Sequence, residues 1–405
     1  MRSGIDVVVI GTGIAGASVA YSLARRGMRV TTADAHRPGQ ATAASAGILE
    51  PWSGAEEDEG LYRLQADATR YYPTLLGRLS EDGIDDVGYA RNGALVVSES
   101  SRDLDAVESR VSGRAIGEPS VGSVSRLTGP QARELFPALA RELAAVHISG
   151  AARVDGGRLR RSLLQAAARH SATSLEGNAE VVITRSRAAA VLVAGRKLES
   201  DAVVIAAGAW TNQVLAPLGL RVPVEPQRGQ IIQLRLEDVD SSAWPSVLPL
   251  TPHYIVSFDD SRIAVGVTRE AGSGFDPRIT AGGQRLVLDA ALAVAPGLAD
   301  ATYLETRVGL RPLASDQRPH VGPVPGVDGL VVCTGFGPVG LTLGPWMGEL
   351  VADMVEGARA PEHAGLEPRF EDLGEAGASA ANRSDAATTN HVTAIQSSLK
   401  PPARR

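Results

Sequence analysis

Short apolar runs and amphipathic repeats alternate along the chain, and their spacing predicts the order of strands and helices. Residues 7–9 form an apolar run that predicts a buried strand, and residues 16–26 and 30–34 favour a helix and a second strand. Apolar residues then repeat at helical spacing from Leu61 to Leu79. The chain therefore opens with a strand, a helix and a strand, followed by a long amphipathic helix.

The rest of the chain contains more predicted strands than helices. Residues 98–126 are polar and are predicted to be irregular. Strands are predicted at residues 93–97, 201–206, 229–236, 254–258, 263–267, 304–310 and 330–334. Helices are predicted at residues 130–136, 158–170, 284–293 and 342–355. Sequence rich in predicted strands thus separates the opening unit from a closing strand, glycine loop and helix.

Three glycines follow the first strand at the spacing Gly-x-Gly-x-x-Gly, and Asp34 closes the second strand. In a dinucleotide fingerprint, Gly11 allows the tight turn, Gly13 lets the backbone approach a pyrophosphate, and Gly16 lets the helix pack on the strand. The helix N-terminus offers N–H donors to the phosphates. Asp34 can bind a ribose 2′-hydroxyl and would repel the 2′-phosphate of NADP. The pattern predicts a bound dinucleotide, with NAD and FAD both open; the alternative is an ordinary glycine turn.

Composition narrows the class of protein. The chain has 405 residues, 44% hydrophobic and 21% charged, as in globular proteins of two or three domains. A net charge of −6 indicates no nucleic-acid partner. Cys333 is the one cysteine, which excludes an internal disulfide and a cysteine-rich metal site, and we expect no metal.

The apolar runs are too short for a membrane span. None reaches ~18 residues, so we expect no transmembrane segment, and the first apolar run leads straight into the glycine fingerprint rather than a signal-peptide cleavage site. We therefore expect a cytoplasmic protein, with peripheral contact at the inner face of the membrane left open. Residues 374–405 contain no aromatic residue and are predicted to be a disordered tail. A partner-binding tail is the alternative.

Several segments carry a resemblance to a known family. They are residues 11–34, the Ala-, Gly- and Ser-rich residues 39–49, residues 203–210, residues 225–230, residues 309–312, and residues 322–323 with 334–343. In order and spacing they resemble the FAD-dependent family of D-amino acid oxidases and dehydrogenases, glycine oxidase and sarcosine oxidase. The resemblance extends over residues 5–357 and implies FAD rather than NAD. We expect the FAD to be non-covalent, because Cys333 lies inside a predicted buried strand.

The resemblance and the order of elements imply an α/β fold. In it, a Rossmann-type FAD-binding domain is interleaved with a β-rich substrate domain. We expect the discontinuous FAD-binding domain to take residues 1–84, 150–222 and 306–360. We expect the substrate domain to take residues 85–149 and 223–305.

The resemblance also implies the positions that contact FAD. The small side chains at residues 39–49 would let backbone N–H groups reach the isoalloxazine; the alternative is a flexible surface loop. The helix start after residues 335–340 would face flavin N1–C2=O, where negative charge develops on reduction; the alternative is a plain strand-to-helix turn. The predicted cofactor-binding residues are Gly11, Gly13, Ile14, Ala15, Gly16, Asp34, Ala35, Ala41, Thr42, Ala46, Gly47, Ile48, Val182, Ala207, Gly208, Gly335, Phe336, Gly337, Pro338, Val339, Gly340, Leu341 and Thr342.

An amino-acid substrate needs a cation for its carboxylate, and the planar fork of arginine pairs with both oxygens. Arg311 lies in a Gly-Leu-Arg-Pro segment that matches the family's substrate arginine. A structural arginine that caps carbonyls is the alternative. Arg228, Arg269 and Arg307 are rival candidates, and Arg228 is expected to be structural.

Tyr254 begins a predicted strand and matches a pocket tyrosine of glycine oxidase. It would either donate a hydrogen bond to the substrate carboxylate or pack against the substrate. His253 and His320 are interpreted as structural. The resemblance implies no catalytic side chain, because the flavin carries the chemistry and the protein supplies orientation.

The resemblance implies an FAD-dependent amino acid oxidoreductase. The neutral amine of a small D- or achiral amino acid would transfer a hydride from Cα to flavin N5, and the imine would hydrolyse to a keto acid and ammonia. The final loop has Pro338 and Val339 where glycine oxidases have Arg-Asn, and residues 340–343 are closer to D-amino acid dehydrogenases. Two alternatives stay open: an N-methyl or cyclic imino acid substrate, and a non-catalytic flavin subunit of a heteromeric dehydrogenase. The acceptor, O2 or a quinone or other electron carrier, and the oligomeric state also stay open.

Overall fold

The computed structural model of the chain describes residues 4–55, 58–357 and 365–372. The predicted tail at 374–405 lies outside these residues. The helices are α1 (Ile14–Arg25), α2 (Glu59–Glu81), α3 (Ser101–Ala115), α4 (Gly129–Leu135), α5 (Gly156–Arg169), α6 (Thr211–Leu215), α7 (Ala281–Val294) and α8 (Gly340–Val355). None of the helices within the described ranges is long and apolar enough to cross a bilayer.

The strands are mostly short. They are β1 (Asp6–Ile10), β2 (Arg29–Asp34), β3 (Ile48–Leu49), β4 (Tyr89–Ala90), β5 (Ala94–Ser98), β6 (Val124–Leu127), β7 (Ala144–Ile148), β8 (Ala152–Val154), β9 (Thr173–Glu176), β10 (Ala179–Thr184), β11 (Arg187–Val193), β12 (Arg196–Glu199), β13 (Ala202–Ile205), β14 (Leu220–Arg221), β15 (Val224–Arg235), β16 (Ser246–Pro249), β17 (Tyr254–Ser257), β18 (Arg262–Gly266), β19 (Thr302–Ala314), β20 (His320–Pro323), β21 (Leu330–Thr334) and β22 (Glu371–Asp372).

A six-stranded sheet has the order β20-β21-β13-β1-β2-β9. Every pair in it is parallel except β20 with β21. The three central strands are almost wholly buried, which explains why their sequences are continuous apolar runs rather than alternating ones. Helix α1 is buried along most of its length because α5 and α8 cover it.

A second sheet has eight strands in the order β19-β15-β18-β17-β16-β5-β7-β6. Its longest pairing is the antiparallel ladder of β15 with β19, from the pair of Val224 with Ala314 to the pair of Arg235 with Thr302. The predicted α/β class, with a parallel sheet and additional β-rich structure, is confirmed. The predicted domain boundaries stay a prediction. Strand β19 runs across the predicted boundary at residue 306 and lies wholly in the second sheet.

One predicted segment is wrong. Residues 98–126 were expected to be irregular, but helix α3 occupies Ser101–Ala115. Its core face is narrow: Leu104, Val107 and Val111 are buried in an otherwise polar helix. The Ser100 hydroxyl caps the helix by accepting the N–H of Asp103 at 3.2 Å. Three apolar positions and a serine cap suffice for a helix here because the second sheet buries that face.

Candidate active site

Three turns meet at one edge of the six-stranded sheet. Strands β1, β13 and β21 are parallel neighbours, so their carboxyl ends lie side by side, and ligands bind at such edges in open α/β sheets. The turns that follow them border a cavity of about 520 Å³. We call this wall the turn side; its residues are 11–15, 206–210 and 336–342, apart from Thr12 and Val339, which do not line the cavity.

The first turn leads into the N-terminus of α1. Gly13 is the N-cap and makes no side-chain cap, and the first helical turn contains no acidic residue. The N–H of Ile14 donates to the Thr42 hydroxyl at 2.9 Å, which holds the loop of residues 41–48 against the turn. The positive end of α1 therefore faces the cavity without a neutralising carboxylate of its own, as an anion site requires.

Gly16 acts behind this wall rather than in it. An added Cβ at Gly16 would lie 1.9 Å from the Gly11 carbonyl oxygen, so no larger residue fits between α1 and the turn. The close packing of α1 on β1 therefore depends on Gly16, which does not itself line the cavity.

Asp34 ends β2 and lies at the cavity wall. Its carboxylate accepts hydrogen bonds from the Thr12 N–H and hydroxyl, both at 2.6 Å, from the His36 N–H at 2.7 Å, and from the Gln40 amide at 3.1 Å. Burial opposes ionisation, but the bonds from Thr12 and His36 outweigh it and lower the pKa of Asp34. The group is therefore an anion that accepts hydrogen bonds at neutral pH.

Helix α8 presents a second N-terminus to the cavity. Val339 is its N-cap without a side-chain cap, the first turn has no acidic residue, and Leu341 and Thr342 line the cavity. Pro345 inside the helix cannot donate to the Leu341 carbonyl four residues earlier. The buried Tyr72 hydroxyl donates to that carbonyl instead, at 2.6 Å. A tyrosine of α2 thus replaces the hydrogen bond that the proline removes.

The second sheet contributes the facing wall. Tyr254 begins β17, Arg311 lies in β19, and Arg269 follows β18; all three line the cavity. We call these three residues the arginine side. Arg311 donates to the Thr268 carbonyl at 3.4 Å and lies close enough to Tyr254 to affect its pKa. No carboxylate among the described residues pairs with Arg311, so its fork stays available to a ligand.

Burial is the main cause of the pKa shifts of Tyr254 and Arg311. It raises the pKa of Tyr254 to about 12, although Arg311 acts in the other direction, so the phenol is neutral at physiological pH. Burial also lowers the pKa of Arg311 from its ordinary value, but arginine stays protonated in proteins. The pair therefore presents one positive charge and one neutral hydroxyl.

A glycine makes room for the guanidinium. Gly229 lies in β15 opposite β19, and a Cβ added there would lie 2.5 Å from Arg311 Nη1. The Arg311 guanidinium thus lies against the bare backbone at Gly229, where a larger residue would collide with it.

The rival arginines differ in their partners. Arg228 pairs with Glu270 at 2.6 Å and Asp276 at 2.8 Å, so it is structural, as expected. Arg307 pairs with Glu305 at 2.7 Å and does not line the cavity. Arg269 does line it, and it has no hydrogen-bond or ion-pair partner among the described residues.

The two candidate histidines, His253 and His320, do not line the cavity. His320 is buried, its Nδ1 accepts the Arg369 N–H at 3.2 Å, and burial lowers its pKa. Cys333 borders the cavity, and burial raises the pKa of its thiol to about 12. The thiol is therefore protonated at neutral pH and is not a thiolate nucleophile.

Most predicted cofactor-binding positions line this one cavity. Four do not: Gly16, Val182, Gly335 and Val339. Residues that the sequence did not single out also line it; they are Arg37, Gln40, Gly177, Asn178, Ala179, Glu180, Trp210 and Gln213 among others. Residues 177–180 lie where Val182 was expected. Two of these residues had a sequence signal, since Gln40 lies in the segment 39–49 and Trp210 ends the segment 203–210.

A family model described as "FAD dependent oxidoreductase" (DAO) matches residues 6–354. "Uncharacterized oxidoreductase YurR" of Bacillus subtilis (strain 168) is 45% identical, over 86% of this chain and 94% of that protein. Glycine oxidase of Geobacillus kaustophilus (strain HTA426) is 31% identical, over 87% and 93%. Among solved structures, iminodiacetate oxidase from Chelativorans sp. BNC1 is similar with a TM-score of 0.87 and 47% identity, over 89% of this chain and 98% of that one.

Proposed function

Because the chain belongs to the DAO family of FAD-dependent oxidoreductases, which act on amino-acid C–N bonds, we propose that it oxidises a small D- or achiral amino acid bound through Arg311. The observation that carries this proposal is the Arg311 guanidinium. It lines the cavity, has no carboxylate partner among the described residues, and lies against Tyr254. A half-buried guanidinium of this kind selects a ligand with a carboxylate.

The turn side fits FAD. The N-terminus of α1 would bind the pyrophosphate, and Asp34 would accept a ribose hydroxyl in place of the Gln40 amide, its longest hydrogen bond at 3.1 Å. The N-terminus of α8, with Leu341 and Thr342, would lie at the pyrimidine edge of the flavin ring. The predicted cofactor-binding residues keep these roles as proposals, and the buried thiol of Cys333 supports a non-covalent cofactor.

When bound, FAD supplies the oxidising chemistry by accepting at N5 the hydride that leaves the substrate Cα. Arg311 would fix the carboxylate, and the neutral Tyr254 hydroxyl would donate a hydrogen bond to it, so that Cα has one orientation. Among the described residues that line the cavity, the only carboxylates are Asp34 and Glu180, and neither is hydrogen-bonded to a residue of the arginine side. The substrate amine would therefore lose its proton to water before oxidation, and the imine product would hydrolyse to a keto acid and ammonia.

The test is anaerobic addition of a panel of glycine, D-amino acids, L-amino acids and 2-hydroxy acids to the purified holoenzyme. The proposal expects the flavin absorbance to bleach with glycine or a D-amino acid. Bleaching by hydroxy acids with no response to any amine would refute it. Admitting air to the bleached enzyme then separates the two acceptors: fast recovery of colour indicates O2, and slow recovery indicates a quinone or other carrier.

A secondary amine is the second candidate. It is favoured by the 47% identity to a solved structure described as iminodiacetate oxidase, whose named substrate is a secondary amine. N-methylglycine and a cyclic imino acid belong in the same panel. Release of formaldehyde indicates oxidation on the methyl side of an N-methyl amino acid, whereas ammonia indicates a primary amine substrate.

A further inference from the structure

The arginine side holds two guanidinium groups rather than one. The Arg311 guanidinium donates to the carbonyl of Thr268, the residue directly before Arg269, so the two arginines approach the cavity from adjacent backbone. Arg269 is exposed, whereas Arg311 is half-buried. Arg269 therefore lies on the solvent side of Arg311 in the same cavity.

The acidic groups next to Arg269 in the chain are already engaged. Glu270 accepts hydrogen bonds from Arg228, Gln230 and the Thr268 hydroxyl. Asp276 pairs with Arg228 and Arg278. These ion pairs leave Arg269 without a hydrogen-bond or ion-pair partner among the described residues, although it lines the cavity.

The two guanidiniums repel each other. Burial is the main cause that lowers the pKa of Arg311, and the charge of Arg269 lowers it further. A ligand with a single carboxylate would neutralise one of the two charges, whereas a ligand with two carboxylates would neutralise both. Like charges held close in a partly buried site favour a ligand that offsets them.

We propose that Arg269 binds a second carboxylate of the substrate, which makes the preferred substrate an amino acid with two acidic groups. This rests on the proposed function, because it requires the first carboxylate on Arg311. The second carboxylate is attached either to the amine nitrogen, as in iminodiacetate, or to the side chain, as in D-aspartate. Both attachments offer Arg269 the same chemistry.

Binding is measured first, with two ethers that have no amine to oxidise. Diglycolate has two carboxylates, and methoxyacetate has one. Calorimetry on the holoenzyme is expected to give about tenfold tighter binding of diglycolate, as one charge-assisted hydrogen-bonded pair provides. Arg269→Gln should remove that difference and leave methoxyacetate binding unchanged. The matched control is Arg278→Gln, which removes an exposed arginine paired with Asp276 outside the cavity and should keep the tenfold preference.

Flavin reduction then tells the two attachments apart. Iminodiacetate is compared with N-methylglycine, and D-aspartate with D-alanine, in the wild type and Arg269→Gln. If the preference for iminodiacetate over N-methylglycine falls about tenfold in Arg269→Gln, the second carboxylate is attached to the amine nitrogen. If the preference for D-aspartate over D-alanine falls instead, it is attached to the side chain. Equal use of monoacids and diacids by the wild type, or equal losses for both in Arg269→Gln, would overturn the role of Arg269 alone. If no amine reduces the flavin, the proposed function itself fails.

Discussion

The turn side and the arginine side of the cavity are built from different groups. On the turn side, backbone N–H donors of α1 and α8 face the cavity, and neither helix has a side-chain cap or an acidic residue in its first turn. On the arginine side, Arg311 and Tyr254 reach the cavity from two strands of the eight-stranded sheet. A site made of backbone needs small residues in a fixed local order, whereas a site made of long side chains needs two distant strands to meet. The sequence therefore predicts the turn side more directly than the arginine side.

The largest effect is expected on the arginine side, from a substitution of Arg311. Arg311→Met removes the charge that we assign to the substrate carboxylate, so kcat/KM for an amino acid should fall about 100-fold or more, equivalent to about 3 kcal/mol. FAD content should stay at one per chain, because the turn side is untouched. Steady-state kinetics and the ratio of flavin to protein absorbance measure the two quantities. An unchanged kcat/KM would place the carboxylate site elsewhere.

Gly16→Ala tests the turn side, where the expected loss is of stability and bound FAD. The added Cβ would lie 1.9 Å from the Gly11 carbonyl, so α1 must move away from β1. We expect a loss of about 2–3 kcal/mol in the free energy of unfolding, together with loss of bound FAD, measured by urea denaturation and absorbance. Gly77→Ala is the control: Gly77 lies within α2 with open space around it, and alanine should slightly stabilise the helix. Full FAD content in Gly16→Ala would contradict the close packing.

Tyr72→Phe tests how the N-terminus of α8 is held. It leaves the Leu341 carbonyl without the hydrogen bond that Pro345 cannot supply, so the free energy of unfolding should fall by about 1–2 kcal/mol. FAD affinity should fall with it, whereas substrate KM should not change. Tyr89→Phe is the matched control, because the Tyr89 ring stacks on Tyr72 at 5.8 Å and its hydroxyl has no hydrogen bond within the described ranges. Equal losses in the two variants would show that the hydroxyl bond contributes nothing.

Acid should lower the free energy of unfolding through His320, a buried histidine next to the last segment of the turn side. Burial lowers the pKa of His320, whose ring lies 3.1 Å from a Cβ built at Gly335 in the final turn. Below the unfolded histidine pKa of about 6.5 the unfolded chain binds the proton first, so stability falls by no more than about 1.4 kcal/mol per pH unit until the native pKa is reached. Denaturation curves of wild type and His320→Gln between pH 7 and pH 5 measure this, and the variant should show a smaller slope. An identical slope would assign the pH dependence to another group.

The turn side could be predicted closely from the sequence. The glycine spacing, the strand before it and Asp34 after the next strand are local features, and Gly11, Gly13, Ile14, Ala15 and Asp34 all line the cavity. The segment around β10, a strand of a three-stranded sheet, was predicted less closely. Val182 was predicted to contact FAD, but residues 177–180 line the cavity instead. Helix α3 was missed because three buried apolar positions in a polar stretch do not stand out without the sheet that covers them.

By itself, the sequence determined the nucleotide turn, the strands before it and after it, and the presence of an arginine in a Gly-Leu-Arg-Pro segment. Only the tertiary structure decided which arginines have carboxylate partners. The sequence alone does not distinguish four candidate arginines: Arg228, Arg269, Arg307 and Arg311. In the structure, Arg228 pairs with Glu270 and Asp276, and Arg307 pairs with Glu305. Arg269 and Arg311 have no carboxylate partner among the described residues and line the cavity. Backbone turns are fixed by neighbours in the chain, whereas charge pairing depends on which strands the fold brings together.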